Sequence, residues 1–281
     1  IEMAKQRAII EAENRMRGDF VEELLAGDFG SGEEVIQRGK LLGYELTVPY
    51  AILSFGWDKP ATEVLAQHGE AEVRRMHDAL DVLAGELVAT NSQLVVGRAR
   101  NERATVLCRV DDPQDLEKLR RLAEQLRQQT VSRASRVALS AGVSSVRSAL
   151  KDITVAGNEA EQSLDIAQRL FGGNRTVMFQ GLGIYRLLFP LRNSNELSEF
   201  YHETLAKLSE YDHKRGTDLV ATLEAFFSHN GNLSKMADTL YLHRNTLVYR
   251  IDRIQGITGL SLDSADDRLR LQLALKIKEI L

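Results

Sequence analysis

The hydrophobic pattern of this 281-residue chain changes near Leu46 and again after Gly181, and those changes fix its architecture. From Leu46 to about Phe179 short apolar runs alternate with longer amphipathic stretches; after Gly181 the short runs stop and only helical spacing remains. Tyr50-Ala-Ile-Leu-Ser-Phe55 has the length of a buried strand, and residues 93–97 and 104–110 flank a charged turn like the arms of a hairpin. Further strands read at 137–142 and 176–179. Helices read over 70–91, from Pro113 and Asp115 to about Val131, and over 156–170, the last stopped by Gly172-Gly173. The fold class is α+β: a sheet domain over 45–183, then an all-α domain over 184–281. In the latter, helices read over 197–208, 216–229, 233–241, 244–255 and 265–280.

Residues 1–44 are assigned as a helical linker or dimerisation segment. Its first 25 residues hold no Pro and read as one or two helices, either pairing with a copy in a dimer or packing as an amphipathic helix. Ser31 and Glu34 form a capping box for a helix that stops near Gly43. The chain opens on Ile1 in mid-helix pattern, so sequence upstream is expected, and with it a sensor for a small-molecule effector.

A hydrophobic fraction of 43% and a charged fraction of 27% are those of an ordinary globular protein. A net charge of −4 argues against coating nucleic acid along the whole surface, yet phosphate contacts need only local positive charge. Cys108 stands alone and reads as a packed thiol in a strand. With no secretory signal and no long apolar run, a reducing cytoplasm is the expected location and no membrane partner is expected. The six histidines lack metal-ligand spacing, and no Walker A, GxSxG or dinucleotide fingerprint occurs, so neither metal, cofactor nor catalytic residue is assigned. Trp57 reads as core, with ligand stacking the alternative.

The stretch 230–254 is the most informative. Leu233, Met236, Ala237, Leu240, Leu242, Leu247 and Ile251 have the spacing of two helices joined by a tight turn, with small Ala237 at their close approach and Leu247 and Ile251 anchoring the second. The outer side carries His243, Arg244, Asn245 and Thr246 at the start of that second helix, then Tyr249, with Lys235 and Arg253 placed to reach a flanking backbone. Arg suits guanine, Asn adenine, and Thr the thymine methyl, so the expected partner is double-stranded DNA read in the major groove. Arg250 reads either as part of this face or as one half of an internal ion pair. Residues 230–260 hold four basic residues (Lys235, Arg244, Arg250, Arg253) and two acidic ones (Asp238, Asp252), a local balance of +2. Tyr241 departs from the usual pattern, since many such turns carry glycine.

The runs Asp218-Leu-Val-Ala-Thr-Leu-Glu-Ala-Phe-Phe, Asn230-Gly-Asn-Leu and Leu242-His-Arg-Asn-Thr-Leu-Val-Tyr-Arg-Ile, with residues 269–275, resemble the C-terminal domain of bacterial PucR/CdaR-type regulators over about the last hundred residues. The resemblance implies a transcriptional role and a dimer or higher homo-oligomer. Residues 137–170, with Ser140-Ala-Gly-Val, are similar to GGDEF domains, whose active members make cyclic di-GMP from GTP on metal-binding carboxylates. Here the hairpin reads Gly97-Arg-Ala-Arg-Asn-Glu102; Arg98 and Arg100 set positive charge where metal belongs, and only Asp58 could serve as a first-strand ligand. The implied domain is degenerate and not an enzyme. The rival expectations are a nucleotide-sensing or enzymatic module with a helical partner-binding domain, and an architectural DNA binder of little sequence preference.

Overall fold

The computed structural model describes residues 16, 18–27, 30–89, 94–96, 102–112, 114, 116–133 and 137–281. Residues 1–15, 17, 28 and 29 of the leading segment, the hairpin turn with Arg98 and Arg100, and Pro113 and Asp115 lie outside the described residues. The chain divides into two compact units, Ile1–Arg186 and Leu187–Leu281.

The first unit is built on a five-stranded sheet of order β2-β3-β1-β4-β5: β1 (Tyr50–Trp57), β2 (Leu94–Val96), β3 (Arg103–Arg109), β4 (Leu139–Val143) and β5 (Thr176–Met178). Central β1 runs antiparallel to β3, with Ile52 opposite Leu107, and to β4, with Phe55 opposite Ala141. β2 joins β3 as the expected hairpin, and β5 lies parallel to β4. All of β1 is buried, which is why its sequence is an apolar run and not an alternation. The period of two survives in what each side chain touches. Ala51, Leu53, Phe55 and Trp57 join a core with Val64 of α2 (Ala61–His68), Met76 and Leu80 of α3 (Glu70–Ala89), and Leu119 and Leu126 of α4 (Leu116–Val131). Tyr50 and Ile52 join the other core, with Phe20, Leu24, Val35 of α1 (Gly32–Leu41), Tyr44, and Ile153 and Ala156 of α5 (Ile153–Arg169). Burying each such large side chain contributes about 1.5–3 kcal/mol.

Ser31 Oγ accepts from the Glu34 amide at 3.4 Å, so α1 has the N-cap half of the predicted capping box, while the Glu34 carboxylate makes no return bond to the Ser31 amide among the described residues. Trp57 is core, and burial pushes the Cys108 thiol up to about 12, as befits a packed, inert cysteine. Gly142 marks where α5 crosses β4: a β-carbon there would run into the Ala160 carbonyl oxygen and the Leu164 nitrogen. Two features were not legible. Helix α5 begins at Ile153, three residues before the expected start, because the β-branched run Ile153-Thr-Val155 masks its first turn. Helix α2 is short and opens on Pro60, whose ring cannot supply a side-chain cap.

The second unit is all helical: α6 (Asn195–Tyr201), a π-helical turn at His202–Ala206, α7 (Lys207–Arg215), α8 (Leu219–Ser228), α9 (Leu233–Leu240), α10 (Arg244–Thr258) and α11 (Ala265–Lys278). Its core gathers Leu205, Leu208, Leu219, Leu223, Ile254, Leu271 and Leu275. The helical path runs on to Arg215, beyond the expected end at Leu208, because the last turns are polar and offer no apolar period to read. Asp212 fixes this extension by accepting from the amides of Leu219 (2.9 Å) and Val220 (2.8 Å), tying α7 to the start of α8.

Candidate nucleic-acid interface

The candidate site is made by α9, a tight turn and α10, and each junction is set by local chemistry. Asn232 caps α9 by accepting from the amides of Ser234 and Lys235, both at 3.1 Å. Helix α9 ends at Tyr241 in the left-handed conformation (φ 55°, ψ 40°), and the Tyr241 and Leu242 amides both return to the Ala237 carbonyl. His243 then caps α10: its Nδ1 accepts from the Asn245 amide at 3.2 Å, which leaves the proton of a neutral ring on Nε2.

Helix α10 is held from behind. Leu247 and Ile254 are fully buried and Ile251 is half-buried, so the seam runs on one turn past the Leu247–Ile251 pair named from the sequence. At 100° per residue, Asn245, Tyr249 and Asp252 point away from that seam, Arg244 lies on one flank, and Thr246, Arg250 and Arg253 on the other. Arg244, Asn245, Thr246 and Tyr249 are exposed, and their side chains make no hydrogen bond or ion pair among the described residues. Asp252 shares the outer face, which confines the part suited to an anion to the first two turns.

The flank bearing Arg250 and Arg253 is occupied from within. Arg250 is mostly buried; its guanidinium donates to Thr222 Oγ1 at 3.1 Å and lies 3.8 Å from the Asp218 carboxylate. Of its two readings, the internal partner is the one formed. Arg253 stacks over the Tyr211 ring, 5.1 Å from its centre, and donates through Nε (3.3 Å) and Nη2 (3.2 Å) to the Tyr211 hydroxyl. Its head remains exposed, but α7 fixes its direction. Tyr211 was not identified from the sequence, where nothing connects it with a residue 42 positions away. Lys235 lies exposed on the first turn of α9. The fold thus gathers residues 243–246 and Tyr249 at one helix end, and couples Arg253 to Tyr211.

In the sheet unit, the carboxylates just after β1 and at the foot of the hairpin are both engaged. Asp58, just after β1, accepts from Ser140 Oγ (2.5 Å) and from the Asn174 amide (2.6 Å). It closes over Gly173, where a β-carbon would stand 2.5 Å from its oxygen. Glu102, at the foot of the hairpin, accepts from the Ala61 amide at 3.0 Å and so caps α2. Among the described residues no group of three or more His, Cys, Asp or Glu could hold a metal ion, and no helix is long and apolar enough to cross a membrane.

Residues 219–277 match the family described as the PucR C-terminal helix-turn-helix domain, and residues 26–166 match the GGDEF-like domain. The whole chain is 23% identical to the purine catabolism regulatory protein of Bacillus subtilis (strain 168), covering 100% of this chain and 52% of that protein. It is 34% identical over 125 residues to the proline-responsive transcriptional activator PutR of the same organism, covering 43% of this chain and 30% of that one. Against the carbohydrate diacid regulator of Escherichia coli (strain K12) it is 36% identical over 120 residues, again 43% and 30%. The chain spans about half or less of the length of these curated relatives.

Proposed function

Because the chain belongs to the PucR/CdaR-type transcription regulators, joining a GGDEF-like domain to a PucR C-terminal helix-turn-helix domain, we propose that α10 is the recognition helix of a sequence-specific DNA-binding regulator. One observation carries the reading: a helix anchored by Leu247 and Ile254 leaves four uncommitted polar side chains exposed at its leading end. Arg244, Asn245 and Thr246 read base edges in the major groove. Lys235, the exposed His243 through Nε2–H, Tyr249 and Arg253 bind flanking phosphates, Arg253 in the direction Tyr211 sets. One such helix reads only a few base pairs, so the protein acts as a homodimer on paired half-sites, in the cytoplasm where the DNA is.

The division of labour is residues 1–44 for linkage or dimerisation, with Phe20, Leu24, Val35 and Tyr44 also packed in a core of the sheet unit, 45–183 for a non-catalytic GGDEF-like module, and 184–281 for DNA. The absence of cyclase activity is supported by the engagement of Asp58 and Glu102 in capping and turn bonds. A small-molecule effector is supported by relatives whose names speak of proline and carbohydrate diacids.

The test is competition binding to the protein's own promoter region against random DNA, at near-physiological salt, for the parent and Arg244→Ala. Removing a side chain that reads a base costs about 1–3 kcal/mol and relaxes preference at one position. Uniform weakening on all sequences makes Arg244 a phosphate ligand, and a folded parent that selects no site, with or without candidate effectors, defeats the reading. Thermal stabilisation of the sheet unit by GTP or cyclic di-GMP would favour a nucleotide sensor instead.

A further inference from the structure

Tyr241 is the residue whose local structure the fold does not explain. Its backbone is left-handed (φ 55°, ψ 40°), a region in which a β-carbon crowds the following carbonyl and which glycine occupies freely. The turn needs nothing from the side chain, since the amides of Tyr241 and Leu242 close it on Ala237. The side chain is 94% exposed and touches no ring, cation or hydrogen-bond partner among the described residues. The other non-glycine left-handed residue of this unit, Asn230, is of a type that tolerates the conformation. A large aromatic is therefore carried at a strained position with no internal compensation, which is the kind of outlier that points outward to a ligand.

We propose that Tyr241 is a DNA-backbone contact, its phenolic hydroxyl donating to a phosphate at the edge of the groove that α10 enters. This rests on the reading of α10 as the recognition helix. Tyr241 stands two residues before the His243 cap, at the same helix end as Arg244, Asn245 and Thr246. A helix about 10–12 Å across fills a major groove about 12 Å wide, so a residue just outside its leading end meets the phosphate row and not a base. Tyrosine is one of the side chains that donate to phosphate, and its placement at the turn fixes depth in the groove without reading sequence.

The experiment compares the full chain with Tyr241→Gly and Tyr241→Phe, on the duplex that the parent selects from a random-sequence pool and on an unselected duplex, across a salt series. Tyr241→Gly should melt at or above the parent temperature while its affinity falls about tenfold on both duplexes, the size of one missing hydrogen bond to a charged group. The slope of log affinity against log salt should not change, because a neutral hydroxyl releases no counterion. Tyr241→Phe keeps the backbone strain and the ring, and should weaken binding as much as glycine does. Parent-like binding by both variants places Tyr241 outside the interface and leaves the α10 reading intact. Parent-like binding by Phe alone removes the hydroxyl contact. A glycine variant that both melts lower and binds worse assigns Tyr241 to the fold. A parent that selects no duplex sinks this proposal together with the reading it rests on.

Discussion

The two units differ in what is left over once their elements are anchored. In the sheet unit several charges near the strand ends and the covering helices are paired with one another. Arg127, nearly buried, donates to Glu124 at 2.6 Å, to Asn174 Oδ1 at 2.6 Å and to the Leu139 carbonyl at 3.1 Å. Arg103 bridges Glu161 and Asp165, and buried Glu159 takes the Ser145 amide and Arg147. In the helical unit backbone groups and a histidine cap close the turn, apolar residues hold α10, and the polar side chains at its leading end are left over. A surface open to a partner thus arises where anchoring is done by other groups. In the sheet unit Asp58 and Glu102 are instead engaged in structural bonds, to Ser140 and to the start of α2.

The exposed face of α10 depends most on Leu247, which is fully buried on the anchoring side of the helix. Leu247→Asp should remove the melting transition of the helical unit, a loss of more than about 4 kcal/mol, while the sheet unit keeps its own; circular dichroism during heating reads both. A helical unit that still melts cooperatively would show that the outward face is not held from behind by this residue.

A smaller effect tests the pairing in the sheet unit. Asp58→Ala strands the Ser140 hydroxyl and the Asn174 amide, and should lower the stability of the sheet unit by about 1–3 kcal/mol without changing DNA affinity. Denaturant midpoints and competition binding measure the two halves of that statement. Unchanged stability would mean that the Asp58 bonds are incidental.

The smallest effect is a pH dependence. The hydrogen bond from Arg127, aided by Thr176 and Gln128, holds the Glu124 carboxyl down at about 2 against an ordinary value of 4.5. A carboxyl lowered in the folded state stabilises above its unfolded value, and that contribution is lost as pH falls from 4.5 through about 2. Acid titration of the parent should therefore show a decline in this window that is shallower in Glu124→Gln. Identical profiles would remove Glu124 from the acid response.

Read residue by residue, the chain specifies whatever is written in local periodicity and local chemistry. The buried run at 50–55, the hairpin around 97–102, the Ser31 cap and the glycine stop at 172–173 each depend on residues within a few positions of one another. The helix-turn-helix is legible for the same reason: its apolar spacing and the polar group at 243–246 lie on one short segment, and the family resemblance rested on that segment. Helix starts hidden by β-branched residues, as at Ile153, and polar extensions such as 209–215 were not legible, because their stability comes from contacts made elsewhere. The tertiary structure alone decided which charges are free. Arg250 and Arg253 stand three residues apart on one helix, yet Thr222 and Asp218 capture the first and Tyr211 orients the second, across 28 to 42 positions of chain. The left-handed backbone at Tyr241 likewise became visible only once the turn was closed. Spacing along a chain specifies which face a residue occupies; only packing brings in the distant group that neutralises it, aims it or leaves it exposed.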